Sequence, residues 1–571
     1  MILVLLLLAQ DSVIVTGTYS PIPLDESNRS VASIPLERAR RILYGDLTEL
    51  LRTDASVDLQ ARGPGNIQTD IVLRGGTFGQ TLVLWNGLRL NDAQSGHHNL
   101  DTPIPLASLD RVEILKGAGS TVYGSDAVGG VVNFVTLPAE STQASLRTGI
   151  GNFGSNEQHL DVSILLPRGW SQQVSAARDF TTGFQPDRDA RNLSIAAAIH
   201  HQGTDLQLAI SDRPFGADQF YGNYPSWERT KSWFAGLRQM VGANTEIDFG
   251  YRRHTDLFVL FRDRPEIYTN RHALDTTELA LRRKSRLAAN TTLHYGASGL
   301  YESIDSNNLG VHTRARAAAY AAVDFRALRR YSLNIGAREE VYEGLAHQFS
   351  PSITAGIWIS PKWRLRGGSN HAFRLPSFTD LYYHDPANQG SPNLQPERSW
   401  SHEGAIEWRP STHVLAQATV FTRLESGVID YVRATPTDIW RATNFHHVHA
   451  TGVEASVQAK EVTVSYAALQ LSASNPIDLN SKYQANYPVH NASVRYAKAM
   501  PYLLFTTHVS AIARIGRPAY ALWDVSAARR TGNIRPYVRL TNITSTEYQE
   551  IAGVNMPKRG VIGGLEFRLS R

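Results

Sequence analysis

The sequence predicts a closed antiparallel transmembrane β-barrel whose lumen holds an N-terminal α+β domain. Three observations predict it. Apolar and polar residues alternate with period two over most of the chain, as in Leu206, Leu208 and Ile210 against Gln207 and Ala209, and the same pattern recurs at Ile247, Phe249 and Tyr251 and at Leu565, Phe567 and Leu569. Such alternation makes strands with one apolar and one polar face. The aromatic residues follow it, with 20 of the 23 Tyr and nine of the ten Trp lying after residue 138; girdles at the two membrane interfaces account for that skew. Finally, no stretch reaches the ~18 uninterrupted apolar residues of a spanning helix, so a membrane crossing has to be made by a closed barrel.

Taken in order, Ile2 to Ala9 is a short apolar run that reads as a signal-peptide remnant over residues 1–10. Residues 11–18, Asp11-Ser12-Val13-Ile14-Val15-Thr16-Gly17-Thr18, are short and rich in β-branched side chains, suited to adding as a strand to a partner's sheet edge. Residues 19–138 mix helix-like and strand-like pieces (Leu47 to Leu51, Thr81 to Leu84, Val112 to Leu115) with frequent glycine, the mark of a small α+β domain. Residues 139–571 carry the alternation. Their length leaves about 20 residues for each of 22 strands with its connection, whereas eight strands would demand loops of more than about forty residues. A barrel that wide needs a plug, and residues 19–138 are placed to be one.

Composition excludes several functions. The chain has no cysteine, so disulfides, thiolate metal sites and cysteine nucleophiles are out. Its net charge of +5 is spread among apolar residues without a basic block, which argues against nucleic acid. Neither Gly75-Gly76 nor Gly129-Gly130 leads into a Gly-Lys-Ser/Thr, and neither Gly-x-Ser-x-Gly nor His-Glu-x-x-His occurs. The chain is expected not to be an enzyme; a passive or catalytic barrel is the distant alternative. Gly124, Gly129 and Gly130 flank a tight turn into an apolar strand and call for positive φ or close approach to the barrel wall.

Three blocks carry a family resemblance: Ile71-Val72-Leu73-Arg74-Gly75 with Leu82-Val83-Leu84-Trp85-Asn86-Gly87; Asp110-Arg111-Val112-Glu113-Ile114-Leu115-Lys116-Gly117; and Ser120 to Asn133 with Tyr123-Gly124-Ser125-Asp126-Ala127. Together with Phe373 to Tyr382, Pro392 to Glu397 and Gly452-Val453-Glu454, they resemble the TonB-dependent outer-membrane receptors over the whole chain, the plug looking most like the vitamin B12 (cobalamin) branch. The resemblance implies energised import of a large scarce nutrient, cobalamin first and a ferric siderophore as the alternative. It further implies the TonB energy-transducing protein as partner through Val13, Ile14, Val15, Thr16, Gly17 and Thr18, and an outer membrane of Gram-negative type as location. Arg74 and Arg111, beside apolar plug strands, then need barrel carboxylates to offset desolvation, for which Glu403 and Glu454 are the candidates.

The same comparison of blocks implies a ligand site at two plug apices, Gly65, Asn66, Ile67 and Gln68 in one and Gln94, Ser95, His97 and His98 in the other, although His97-His98 departs from the family pattern. Barrel loops add aromatic candidates: Tyr221, Tyr224 and Trp227, near Phe215 and Phe220, and Tyr382 and Tyr383 beside His384. No cofactor and no metal site are expected: Asp187-Arg188-Asp189 offers too few oxygens for calcium, and of His446, His447 and His449 only the last two share a strand face. A closed barrel has no free edge, so a monomer in outer-membrane lipid is expected.

Overall fold

The computed structural model describes residues 13–343, 345–474, 479–482 and 486–570. The expected signal remnant, Asp11 and Ser12 lie outside the described residues.

Between Gln143 and Ser570, 22 long antiparallel strands follow one another around a closed barrel. Closure is made by the first strand, Gln143–Gly151, pairing with the last, Gly560–Ser570, with Leu146 opposite Phe567. The pattern is inside out relative to a water-soluble sheet. Leu208, Ile210, Phe249, Leu565 and Phe567 are exposed on the outer wall, while Gln207, Asp248 and Glu566 are buried toward the lumen. An apolar exterior over a polar interior is stable only against hydrocarbon. Among the described residues no helix is long and apolar enough to cross a membrane; the strands make the crossing.

The two ends differ. At one, connections are brief, such as 202–203, 289–290, 361–362 and 460–461; at the other lie 182–189, 217–226, 260–268, 375–396 and 542–559. Short periplasmic turns and longer external loops orient the barrel.

The plug's main sheet has five strands in the order Val31–Pro35, Arg111–Lys116, Gly130–Val135, Thr81–Trp85, Leu88–Arg89. A hairpin of Val57–Ala61 and Thr69–Leu73 stands beside it. A short helix, Leu47–Leu51, starts where the Asp46 carboxylate accepts the Thr48 and Glu49 amides at 2.7 and 3.0 Å, satisfying two orphan donors of its first turn. Its Leu47, Leu50 and Leu51 join Val83, Trp85, Ile114, Val132 and Phe134 in the plug core. Gly124 has φ +78°, and a Cβ there would meet Glu340 of the barrel wall at 2.5 Å. The expectation for Gly129 and Gly130 needs correcting: their close neighbours are the plug's own backbone, a Cβ at Gly129 meeting the Leu73 carbonyl at 2.7 Å and one at Gly130 the Leu115 carbonyl, because Gly130 is paired inside the plug sheet with Thr81 and Lys116.

Candidate functional site

On the outer face, plug and barrel enclose a cleft holding about 1170 Å³ of open space. Pro64, Gly65, Asn66, Ile67 and Gln68 form its plug side; Phe153, Phe180, Phe184, Phe215, Asn156 and Asn192 form much of the barrel side. The apex is a left-handed turn, with φ +76° at Gly65 and +60° at Asn66, which glycine and asparagine tolerate best. Asn66 donates to the Leu100 carbonyl at 2.9 Å, tying this apex to the second. Three arginines line the cleft and each is paired: Arg191 with Asp212 at 3.1 Å, Arg213 with Asp101 at 3.4 Å, and Arg539 with Glu157. Burial and the neighbouring Asp46 push the Glu49 carboxyl up to about 7.

The second apex turns inward. Gln94 donates to Asp256 at 2.9 Å, Ser95 accepts the His97 amide, and His97 stacks on Phe78 while its Nδ1 lies 2.8 Å from Asp70. Burial opposes ionisation of Asp70, yet His97 and Arg62 hold its carboxyl below the usual range. His98 is buried against the barrel wall beside Asp101 and His254. None of these four candidates lines the cleft.

The barrel tyrosines divide. The Tyr221 hydroxyl accepts from Gln68 and donates to Glu228 at 2.9 Å, beside the first apex. Tyr224 is exposed, its ring edge-on to Phe261, and Trp227 begins the strand Trp227–Val241; none of the side chains of Tyr221, Tyr224 and Trp227 lines the cleft. Tyr382 stacks on His312 at 3.6 Å, and Tyr383 bonds Asp385 and Tyr268, in a separate cluster. Proximity in sequence to the Phe373 to Tyr382 landmark does not bring them to the cleft, because their loop packs over Leu274 and Ile304. Conversely, Phe153, Phe180 and Phe184 line the cleft without any mark in the sequence. Only barrel closure sets them opposite Thr541 and Gly560 to Ile562, a juxtaposition with no local signal.

Toward the periplasmic end, Arg74 meets both expected glutamates. Its Nε and Nη2 donate to Glu454 at 3.0 and 2.9 Å, its Nη1 donates to Glu403 at 2.8 Å, and the Phe421 ring lies 4.3 Å from the guanidinium. Arg29, not anticipated, lies 3.7 Å from Glu403, and the Ser30 amide donates to the same carboxylate at 3.1 Å. Arg111 is a correction. It pairs with Glu113 at 2.7 Å, two residues along the same strand face, and reaches neither barrel glutamate.

Glu113 also holds the N-terminal segment. One of its oxygens accepts the Val15 and Thr16 amides at 3.0 and 2.8 Å, Tyr123 accepts the Gly17 amide, and Asn133 donates to the Thr16 hydroxyl. Val13–Ile14 pairs with Ile22–Pro23, and Ile14 and Thr16 are fully buried. Gly17 takes φ +74° under Leu115, while Thr18 continues the chain toward Tyr19.

The acids at 187 and 189 are bridged by the Arg262 guanidinium. His447 and His449 lie on the exposed outer wall, the latter bonded to Thr422; the side chain of His446 is outside the described residues.

Comparison with known proteins gives a consistent answer. The family model for the TonB dependent receptor-like β-barrel matches residues 141–543, and that for the TonB-dependent receptor plug domain matches residues 23–131. Among curated relatives, the vitamin B12 transporter BtuB of Photobacterium profundum is 24% identical, the match covering 80% of this chain and 76% of the other. The iron-regulated outer membrane virulence protein of Vibrio cholerae is 23% identical over 88% of this chain and 82% of its own length. Among solved structures, the siderophore receptor PirA from Acinetobacter baumannii superposes with a TM-score of 0.77 at 15% identity, covering 94% of this chain and 98% of PirA. That likeness is one of fold.

Proposed function

The chain belongs to the TonB-dependent receptors of the Gram-negative outer membrane, import receptors and not enzymes, and from that premise we propose that it imports a bulky, uncharged organic nutrient, with cobalamin the favoured ligand. The lining of the outer cleft carries the reading. Its aromatic walls and its Asn and Gln amides suit a large ring system with polar edges. Because Arg191, Arg213 and Arg539 are already committed to carboxylates, the cleft offers an anionic ferric siderophore no spare guanidinium among the described residues. The siderophore reading is the alternative.

The transport step follows from the plug. Ligand on the Gly65 to Gln68 turn presses on the Asn66 link to Leu100 and on the Gln68 bond to Tyr221. Val13 to Thr18 are held by a few amide bonds to Glu113 and Tyr123, so a modest differential affinity shifts the population from docked to released. Released, the segment pairs as a strand with TonB in the periplasm.

The test is binding of cyanocobalamin against a panel of ferric siderophores, read by tryptophan fluorescence of detergent-purified protein. Saturable cobalamin binding, weakened by Gln68→Ala and Phe215→Ala, is expected; saturable binding of a ferric siderophore alone moves the protein to the alternative.

A further inference from the structure

Behind the second apex, two histidines and an aspartate converge with no hydrogen bond among the three. His98 and Asp101 come from the plug and His254 from the strand Thr245–Val259, all three buried, with one donor atom of each within 4.8 Å of the others. His98 Nδ1 lies 3.4 Å and His254 Nε2 lies 3.6 Å from the same oxygen of Asp101. His98 Nδ1 makes no hydrogen bond, and neither does either nitrogen of His254, which is wholly buried. Such separations are long for N–H···O bonds. They match the edge of a tetrahedron around zinc, where bonds of ~2.0–2.2 Å set neighbouring ligands about 3.3–3.6 Å apart.

The far side of each ring is also arranged. His254 Nδ1 stands 2.7 Å from Asp92, and His98 Nε2 stands 3.5 Å from Asp256. A carboxylate behind each imidazole, leaving its other nitrogen toward the centre, is the usual outer arrangement of histidine ligands. Asp92, Asp101 and Asp256 outnumber the guanidiniums paired with them, Arg252 on Asp92 and Arg213 on Asp101, so the nest has room for positive charge.

We propose that His98, Asp101 and His254 bind one divalent transition-metal ion of the zinc class, which clips the plug to the barrel wall beneath the outer cleft. The site rests on these side chains alone and holds whichever nutrient fills the cleft. Two imidazoles and a carboxylate favour such an ion over calcium, which takes oxygen. The fourth position is left to water.

The experiment uses the full chain, purified in detergent without a histidine tag and stripped with chelator, then titrated with Co²⁺ and, separately, Zn²⁺. One retained equivalent of zinc and the intense visible bands of four-coordinate cobalt are expected. His254→Gln and Asp101→Asn weaken both by at least about tenfold, while His449→Gln on the outer wall leaves them unchanged. Retention of no equivalent by the native protein, or equal retention by the two site variants, overturns the proposal. Should both variants fail to assemble, X-ray absorption of the zinc-loaded native protein decides: scattering from two imidazoles supports the site, and its absence overturns it.

Discussion

Arg74 and His98 both reach from plug loops into carboxylate clusters at the barrel wall, and the two contacts end differently. Around Arg74, three guanidinium nitrogens each find a carboxylate oxygen at 2.8–3.0 Å. Around His98, the nearest acids stand at 3.4 and 3.5 Å and Nδ1 stays unbonded. A planar fork with donors in fixed directions closes its own site. Two imidazoles and a shared oxygen need a third body. The first contact therefore reads as a structural lock, the second as a place for a ligand, and the difference is visible only once hydrogen-bond geometry is separated from mere closeness of charge.

The largest expected effect breaks the lock. Arg74→Ala strips Glu454 of its guanidinium and leaves Glu403 with Arg29 and the Ser30 amide, and removal of one partner from such a buried cluster costs about 3–5 kcal/mol. Hydrogen exchange of the adjoining plug strand, Thr69–Leu73, should accelerate sharply; unchanged protection would show that the lock holds nothing. Replacing both glutamates by glutamine should loosen the same strand. Next comes His98→Gln, which in metal-free protein should cost only roughly 1 kcal/mol, since no made hydrogen bond is lost on Nδ1. A loss equal to that of Arg74→Ala would erase the distinction between the two clusters.

Glu49 sharpens the contrast by pH. Burial and Asp46 raise its carboxyl from 4.5 to about 7, so between those values the folded plug keeps a proton that the unfolded chain has released. Its contribution to stability is thus full below the lower value and is lost as pH rises through 7. Thermal unfolding of Glu49→Gln should be flatter across that window than that of the native protein. The smallest effect is local: Asp46→Ala removes the cap of Leu47–Leu51 for about 1 kcal/mol, fraying the helix without touching the Arg74 or His98 clusters. Hydrogen exchange confined to that turn is expected.

The barrel was legible in the sequence because lipid imposes period two on every strand, as at Leu208, Ile210 and the buried Gln207 between them. The partners of Arg74 were legible only through resemblance, since 329 and 380 residues separate it from Glu403 and Glu454. Arg111 was misplaced for a local reason: an acid two positions along a strand is nearer than any wall residue. The cleft was half visible. Its glycine-rich apex announced itself, but Phe153, Phe180 and Phe184, gathered by the first hairpins, face Val561 and Ile562 only because the first strand closes on the last. Tyr382 and Tyr383 looked equally eligible and are engaged elsewhere. Behind the second apex gather His98 Nδ1 and the two nitrogens of His254, which make no hydrogen bond.

Ligand at the outer cleft is expected to release Val13 to Thr18 on the opposite side of the plug. The natural chain has no cysteine, so Thr16→Cys supplies a single thiol at a fully buried position. Its maleimide labelling should be slow in the unliganded receptor and several-fold faster once the cleft is saturated with the ligand that binds. Equal rates with and without that ligand would contradict the account.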